Sequence, residues 1–332
     1  MNDHGSRAPE LRSTERLSGD DAGLARAAAI LRAGGLVAFP TETVYGLGAD
    51  ATDPKAVAGI YAAKDRPRFN PLISHVADGD AAQAQGVFDA VAEKLADAFW
   101  PGPLTLVVPA APGCTVSDFA RAGLETLGLR VPSHPLARDL LRLVGRPLAA
   151  PSANRSGRIS PTLAEHVLGD LEGRIDAIVD GGPARVGLES TIVSVIDGAA
   201  RLLRPGGIPR EAVERVIGGT LQARTEGAAP IAPGMLASHY APRARVRLNA
   251  SEIFAGEAAL LFGASQPTGV ERAARTVNLS ARGDLEEAAA RLFGALRELD
   301  AAGVETIAVV AIPEDGLGDA INDRLRRAAA ER

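Results

Sequence analysis

Residues 36–48, Leu-Val-Ala-Phe-Pro-Thr-Glu-Thr-Val-Tyr-Gly-Leu-Gly, decide how this chain is read. A short apolar strand ends at Pro40 and passes into a turn rich in threonine and glycine. Further on, the segment Lys64-Asp-Arg-Pro-Arg-Phe-Asn-Pro-Leu72 sets cations two apart and places an amide at Asn70. Thr41 and Thr43 supply hydroxyls, and Gly46 and Gly48 let the backbone come close to a ligand. Lys64, Arg66 and Arg68 bring fixed positive charge. Such a set can hold a phosphorylated ligand without a Walker loop.

Outward from this stretch, helical and strand patterns alternate, which predicts an α/β fold. Asp20 to Ala33 reads as a helix stopped by Gly34-Gly35, and Asp53-Pro54 as an N-cap followed by proline at the first helical position. Ser160-Pro161 repeats that start signal. The helices do not space the strands evenly, so a mixed twisted open sheet is expected in place of a regular doubly wound one. After Gly218 the composition changes. Residues 219–244 are rich in Gly, Ala and Pro and read as a linker. A smaller α/β unit follows over 245–332, with strands near 245–249, 258–262 and 305–311 and helices near 284–301 and 316–330. Residues 1–18 read as a disordered lead and 19–218 as the main domain.

Composition narrows the function classes. The 332 residues carry a net charge of −5, against the basic surplus of a duplex-binding protein. No apolar run reaches the roughly 18 residues of a membrane span, and the N-terminus lacks the apolar core of a secretory signal. The expected location is the cytoplasm. The single cysteine, Cys114, excludes an internal disulfide. None of the five histidines has a metal-site spacing, so no protein-built metal site is expected.

Several groups of residues could carry chemistry. Gly46-Leu-Gly-Ala-Asp-Ala51 matches a dinucleotide fingerprint in letters only, because Pro40 and a polar turn interrupt the strand before it. A plain tight turn is the better reading. Lys64 and Arg66 stand at a spacing that puts both heads on one side of an extended segment. The chain has only three lysines among 36 basic residues, so a lysine kept at 64 hints at a need for a compact ammonium. His75 ends a strand, where a hydrogen-bonded scaffold role is the ordinary one. Arg130 projects from an apolar strand and needs an anion: a buried salt-bridge partner or a ligand carboxylate held bidentately. Residues 149–157, Ala-Ala-Pro-Ser-Ala-Asn-Arg-Ser-Gly, form a second strand-to-turn with hydroxyls and amides. Ser160 caps the helix expected from Pro161 or touches a ligand. Ser190 opens a strand without the glycine framing of a nucleophile elbow. In the linker, Pro233-Gly-Met-Leu-Ala-Ser-His239-Tyr240-Ala-Pro242 is either an inert tether or a lid.

Taken together, these motifs closely resemble the YrdC-like domain of threonylcarbamoyl-AMP synthases, in their long two-domain form. The likeness runs through most of the first 210 residues and into the linker near 233–242. It implies a YrdC-like sheet plus a small Rossmann-like α/β C-terminal domain. It also implies a nucleotidyltransferase that joins L-threonine, bicarbonate and ATP into threonylcarbamoyl-AMP. By that resemblance Lys64 and Arg66 are the catalytic cations, and ATP is bound by both together with Asn70, Thr126, Ser152, Asn154, Ser160, Arg204 and Tyr240. L-Threonine would meet Thr43, His75, Arg130, Ala150 and Ser190. His239 and Tyr240 would form the lid. Magnesium would enter with the ATP phosphates, and the product would pass to the tRNA threonylcarbamoyl-transferase machinery. Stable nucleic-acid or membrane binding is not implied. Ser194 stands where an acid is expected in many relatives. The rivals are carbamoyl adenylation on the same fold, an RNA-binding module and a dinucleotide-dependent oxidoreductase.

Overall fold

A computed structural model describes residues 13–67, 69–222 and 239–330. Arg68, residues 1–12 and most of the linker, 223–238 with Met235, lie outside them. In chain order the first half runs β1 (Glu15–Ser18), α1 (Asp21–Arg32), β2 (Val37–Phe39), β3 (Gly46–Asp50), α2 (Pro54–Lys64) and β4 (Ile73–His75). Then come α3 (Gly79–Gln83), α4 (Ala90–Phe99), β5 (Leu104–Pro109), α5 (Asp118–Arg121), β6 (Thr126–Arg130), α6 (Pro135–Val144) and β7 (Leu148–Ala149). The large unit closes with α7 (Ala164–Leu171), β8 (Ala177–Asp180), β9 (Thr191–Ile196), β10 (Ala199–Arg204) and α8 (Arg210–Ile217). The second unit holds β11 (Arg245–Arg247), β12 (Ala258–Leu261), β13 (Arg275–Asn278), α9 (Leu285–Ala301), β14 (Thr306–Val309) and α10 (Leu317–Ala329).

The ten-stranded sheet has the order β1-β8-β2-β3-β7-β4-β6-β5-β9-β10 and mixes parallel with antiparallel pairs. This is the mixed sheet that the uneven helix spacing predicts. β11-β14-β12-β13 form a second, wholly parallel sheet. Its strand at 275–278 was not expected from the sequence, because Arg275 and Thr276 leave it half exposed and without an apolar run.

Several local expectations are corrected. Glu15–Ser18, assigned to the disordered lead, pairs in parallel with Ala177–Asp180, and Thr14 bonds the Ile175 carbonyl beside it. Gly46–Asp50 is no turn. It is a strand antiparallel to β2, with a Phe39 ring carbon 2.7 Å from where a Cβ on Gly48 would stand. Phe39 thus occupies the space at Gly48 that the sequence suggested for a ligand. Lys64 does not lie on an extended segment: it ends α2, which Asp65 caps in the left-handed region at φ 52°. α7 begins at Ala164, and Ser160 gives its hydroxyl to Glu189 instead of capping a helix at Pro161.

The two units share a core. Val44, Ile159 and Leu188 from the large unit pack in one buried cluster with Leu292, Phe293 and Leu296 of α9. Gly187 permits that approach. It adopts φ +73°, and a Cβ there would fall 2.4 Å from the Ala289 carbonyl oxygen. Gly187→Ala is expected to lower stability by about 1–2 kcal/mol from the backbone conformation alone, and further from the collision with α9. Thermal unfolding would show the drop. An unchanged midpoint would contradict this packing.

Candidate active site

Three segments converge at the middle of the large sheet: the β2–β3 turn, the ends of β4 and β6, and the chain after β7. They line a common cleft. The segment around Ser190 and the linker residues His239 and Tyr240 complete the wall.

Part of the cleft sets a cation beside a neutral ring and hydroxyls. β4 and β6 run in parallel with His75 opposite Arg130, so the two side chains sit side by side. Arg130 is 4% exposed, donates to Glu42 at 2.7 Å and to the Gly102 carbonyl at 3.3 Å. Both readings of Arg130 therefore meet here: it has a buried salt-bridge partner and it also lines the cleft. Burial would raise the Glu42 carboxyl, but the Arg130 charge and hydrogen bond overcome this and hold it below the usual range. Burial first, and the Arg130 charge second, push His75 down to about 3, so its ring is neutral at physiological pH. Its Nδ1 is buried without a partner. The hydroxyls of Thr41 and Thr43 lie 2.8 Å apart, with Thr41 donating to the Val44 carbonyl. Ser190 shares a 2.7 Å hydrogen bond with Thr105 and accepts from Arg204. Ala150 also lines the cleft.

Another part concentrates cations. Arg66 lines the cleft, bonds the Asn70 and Pro71 carbonyls, and keeps its Nε unpaired; burial lowers it to about 10. Arg204 donates to the Ser190 carbonyl at 2.8 Å. Lys64 is fully enclosed and donates to the carbonyls of Ser152 and Asn154. Burial, then the charge of Arg66, holds its amine well below the ordinary lysine range.

Not every expected residue reaches the cleft wall. Ser152 does. Lys64, Asn70, Asn154 and Ser160 stand behind it, and the amide oxygens of Asn70 and Asn154 are buried without partners. Asn154 uses its amide nitrogen to bond the Arg155 and Arg158 carbonyls. Thr126 also lies off the wall, at the other end of β6 from Arg130, although alternation places both on one face of that strand. Thr105 and Ile73 are the nearest neighbours of a would-be Cβ on Gly128, which lies between Thr126 and Arg130.

His239 and Tyr240 are folded in. Tyr240 is 1% exposed, at φ 63°, a strained setting for an aromatic residue that its surroundings must hold. Its ring stacks on Phe293 at 5.5 Å and meets His239 at 4.1 Å. His239 is buried, and that burial lowers it to about 3.

Sequence reasoning missed Glu42, Glu189 and Arg324. Glu42 stands inside the opening stretch, and an acid directly beside the threonines was a usable signal. Glu189 precedes an apolar strand, a second such signal. Arg324 had none, because it sits in an arginine-rich helix that reads as a solvated face. Among the described residues no group of three or more His, Cys, Asp or Glu is placed to hold a metal. No helix there is long and apolar enough to cross a membrane.

The comparisons with known proteins bear on the family and the fold. The Sua5/YciO/YrdC family model, described as telomere recombination, matches residues 29–206. A second, for the C-terminal domain of threonylcarbamoyl-AMP synthase, matches residues 208–330. The threonylcarbamoyl-AMP synthase of Bacillus subtilis is 45% identical, over 96% of each chain. That of Pyrococcus abyssi is 42% identical, over 92% of this chain and 94% of the relative. The solved structure of P. abyssi Sua5 complexed with L-threonine superposes with a TM-score of 0.84 at 38% identity, over 95% of this chain and 97% of that one. The chain belongs to the threonylcarbamoyl-AMP synthase family, in its two-domain form.

Proposed function

We propose that this enzyme condenses L-threonine, bicarbonate and ATP into threonylcarbamoyl-AMP and pyrophosphate, for the threonylcarbamoyl modification of tRNA. The observation that carries the reading is the pairing, in one cleft, of a cation suited to a carboxylate at Arg130 with cations suited to phosphates at Arg66 and Arg204, with Lys64 behind them. The threonine bound to the P. abyssi relative supports threonine as the amino acid.

The amine of threonine attacks bicarbonate, water leaves, and N-carboxythreonine forms. A carbamate oxygen then attacks the α-phosphorus of ATP, and the bond to pyrophosphate breaks. Neither step asks for a protein nucleophile, so positioning and charge stabilisation do the catalysis. Arg130 holds the threonine carboxylate, with Thr43, Ser190, Ala150 and neutral His75 around it. Arg66 and Arg204, with Lys64 behind them, stabilise the charge that develops on the phosphates, and Ser152, backed by Asn154, Asn70 and Ser160, shapes the nucleotide end. Glu42 and Glu189 are already held by arginines, so magnesium arrives on the ATP phosphates. Carbamates decompose in water, and the folded-in Tyr240 and His239 keep bulk solvent out. Transfer of the product to the tRNA threonylcarbamoyl-transferase machinery and a cytoplasmic location go with this reading.

Pyrophosphate release from ATP and magnesium should need both threonine and bicarbonate. Release without threonine would point instead to carbamoyl adenylation with another acceptor.

A further inference from the structure

Arg324 belongs to α10 of the second unit, yet its side chain is 0% exposed and reaches into the large one. Its Nε donates to Glu189 at 2.9 Å, and Nη1 donates to the Pro205 carbonyl at 2.8 Å and to Asp323 at 2.7 Å. Its guanidinium carbon lies 5.3 Å from the centroid of the Tyr240 ring. The other carboxylate oxygen of Glu189 accepts the Ser160 hydroxyl. One turn further along α10, the Arg327 carbonyl accepts from the His239 backbone at 3.3 Å. A single side chain thus touches Glu189, which precedes Ser190, then Pro205, which follows Arg204, and finally Tyr240.

Stability alone is a weak reason for this arrangement. A buried ion pair often contributes no more than apolar residues of the same volume, whereas losing one partner strands the other charge. Burial would raise Glu189, but the charges of Arg324 and Arg204 together hold it down at about 2. Arg204 is therefore the next cation that Glu189 feels. Without Arg324, the carboxylate would turn its pull on Arg204.

We propose that Arg324 is a positioning residue for the reaction, occupying Glu189 so that Arg204 stays unpaired with a carboxylate and available to the nucleotide, and clamping Tyr240 over the cleft. The second unit then backs the active-site wall through Arg324 as well as carrying the chain beyond the linker. This inference rests on the synthase reading above. Wild-type protein that releases no pyrophosphate with threonine, bicarbonate and ATP would defeat that reading, not this one.

Steady-state pyrophosphate release with the full chain tests it, with melting temperatures recorded for every variant. Arg324→Met should raise the ATP KM by roughly tenfold or more and move the threonine KM less. Arg324→Lys should fall between that variant and wild type. Glu189→Gln combined with Arg324→Met should bring the ATP KM back toward wild type, because no stranded carboxylate then competes for Arg204. If the methionine variant does not fold, Arg324→Gln takes its place, since it keeps a donor for the Pro205 carbonyl. An unchanged ATP KM in the single variant, or no recovery in the double one, overturns the proposal. So does a loss that merely follows melting temperature and affects both substrates alike.

Discussion

Arg130→Ala is expected to cut kcat/KM for threonine by about 10²–10³-fold, the worth of a charge-assisted clamp that is partly desolvated. It should also destabilise the protein, and for a separate reason. Glu42 is 3% exposed, Arg130 is its ion-pair partner, and one oxygen of Glu42 already lacks a hydrogen bond. Removing the arginine alone strands that carboxylate, at a cost of about 3–5 kcal/mol. Arg130→Ala combined with Glu42→Gln removes both charges, so it should recover much of the stability and none of the threonine affinity. Chemical denaturation and threonine titration of the two variants separate these effects. Equal threonine KM in wild type and Arg130→Ala would refute the assignment of the carboxylate end.

ATP binding is expected to draw a proton onto Lys64. Burial first, and the neighbouring Arg66 second, hold this amine well below 10.5 against a smaller opposing pull from Asp170, and it donates to two carbonyls. Between that lowered value and 10.5 the unfolded chain binds a proton here that the folded protein does not. The contribution of Lys64 to stability therefore rises with pH through that window. Phosphates entering the cleft supply the missing counter-charge and restore the charged form. Calorimetry in two buffers of different protonation enthalpy, at mildly alkaline pH, should give different apparent binding enthalpies. Lys64→Met should abolish the difference and weaken ATP binding by about 10-fold or more, as expected for a lost positive charge close behind the phosphates. Identical enthalpies in both buffers with wild type would mean that Lys64 is already charged or does not sense the nucleotide.

Much of this was legible in the sequence because the site is assembled from short contiguous motifs. The stretch from Leu36 to Gly48, the cations after Tyr61, Arg130 in an apolar strand and the Ser152–Asn154 turn each carry their chemistry locally. Local signals also set the limits. The glycines at 46 and 48 read as a turn, yet they serve a strand whose neighbour, Phe39, needs the space a side chain would take. Lys64 and Arg66 were paired by spacing along an extended chain, whereas a left-handed residue at 65 turns the backbone between them. Ser160-Pro161 has the letters of a helix start, but Glu189, distant in sequence, takes the hydroxyl. The contribution of α10 lay beyond local reading altogether, since a buried arginine in a basic helix is recognised only by what surrounds it in space.

The central claim is that one cleft joins threonine, bicarbonate and ATP. The most direct measurement is mass spectrometry of the reaction product formed with carbon-labelled bicarbonate. The account predicts an adenylate that contains both threonine and the labelled carbon, formed only when all three substrates are present. An adenylate that lacks the label, or pyrophosphate release with no threonine-containing adenylate, would contradict it.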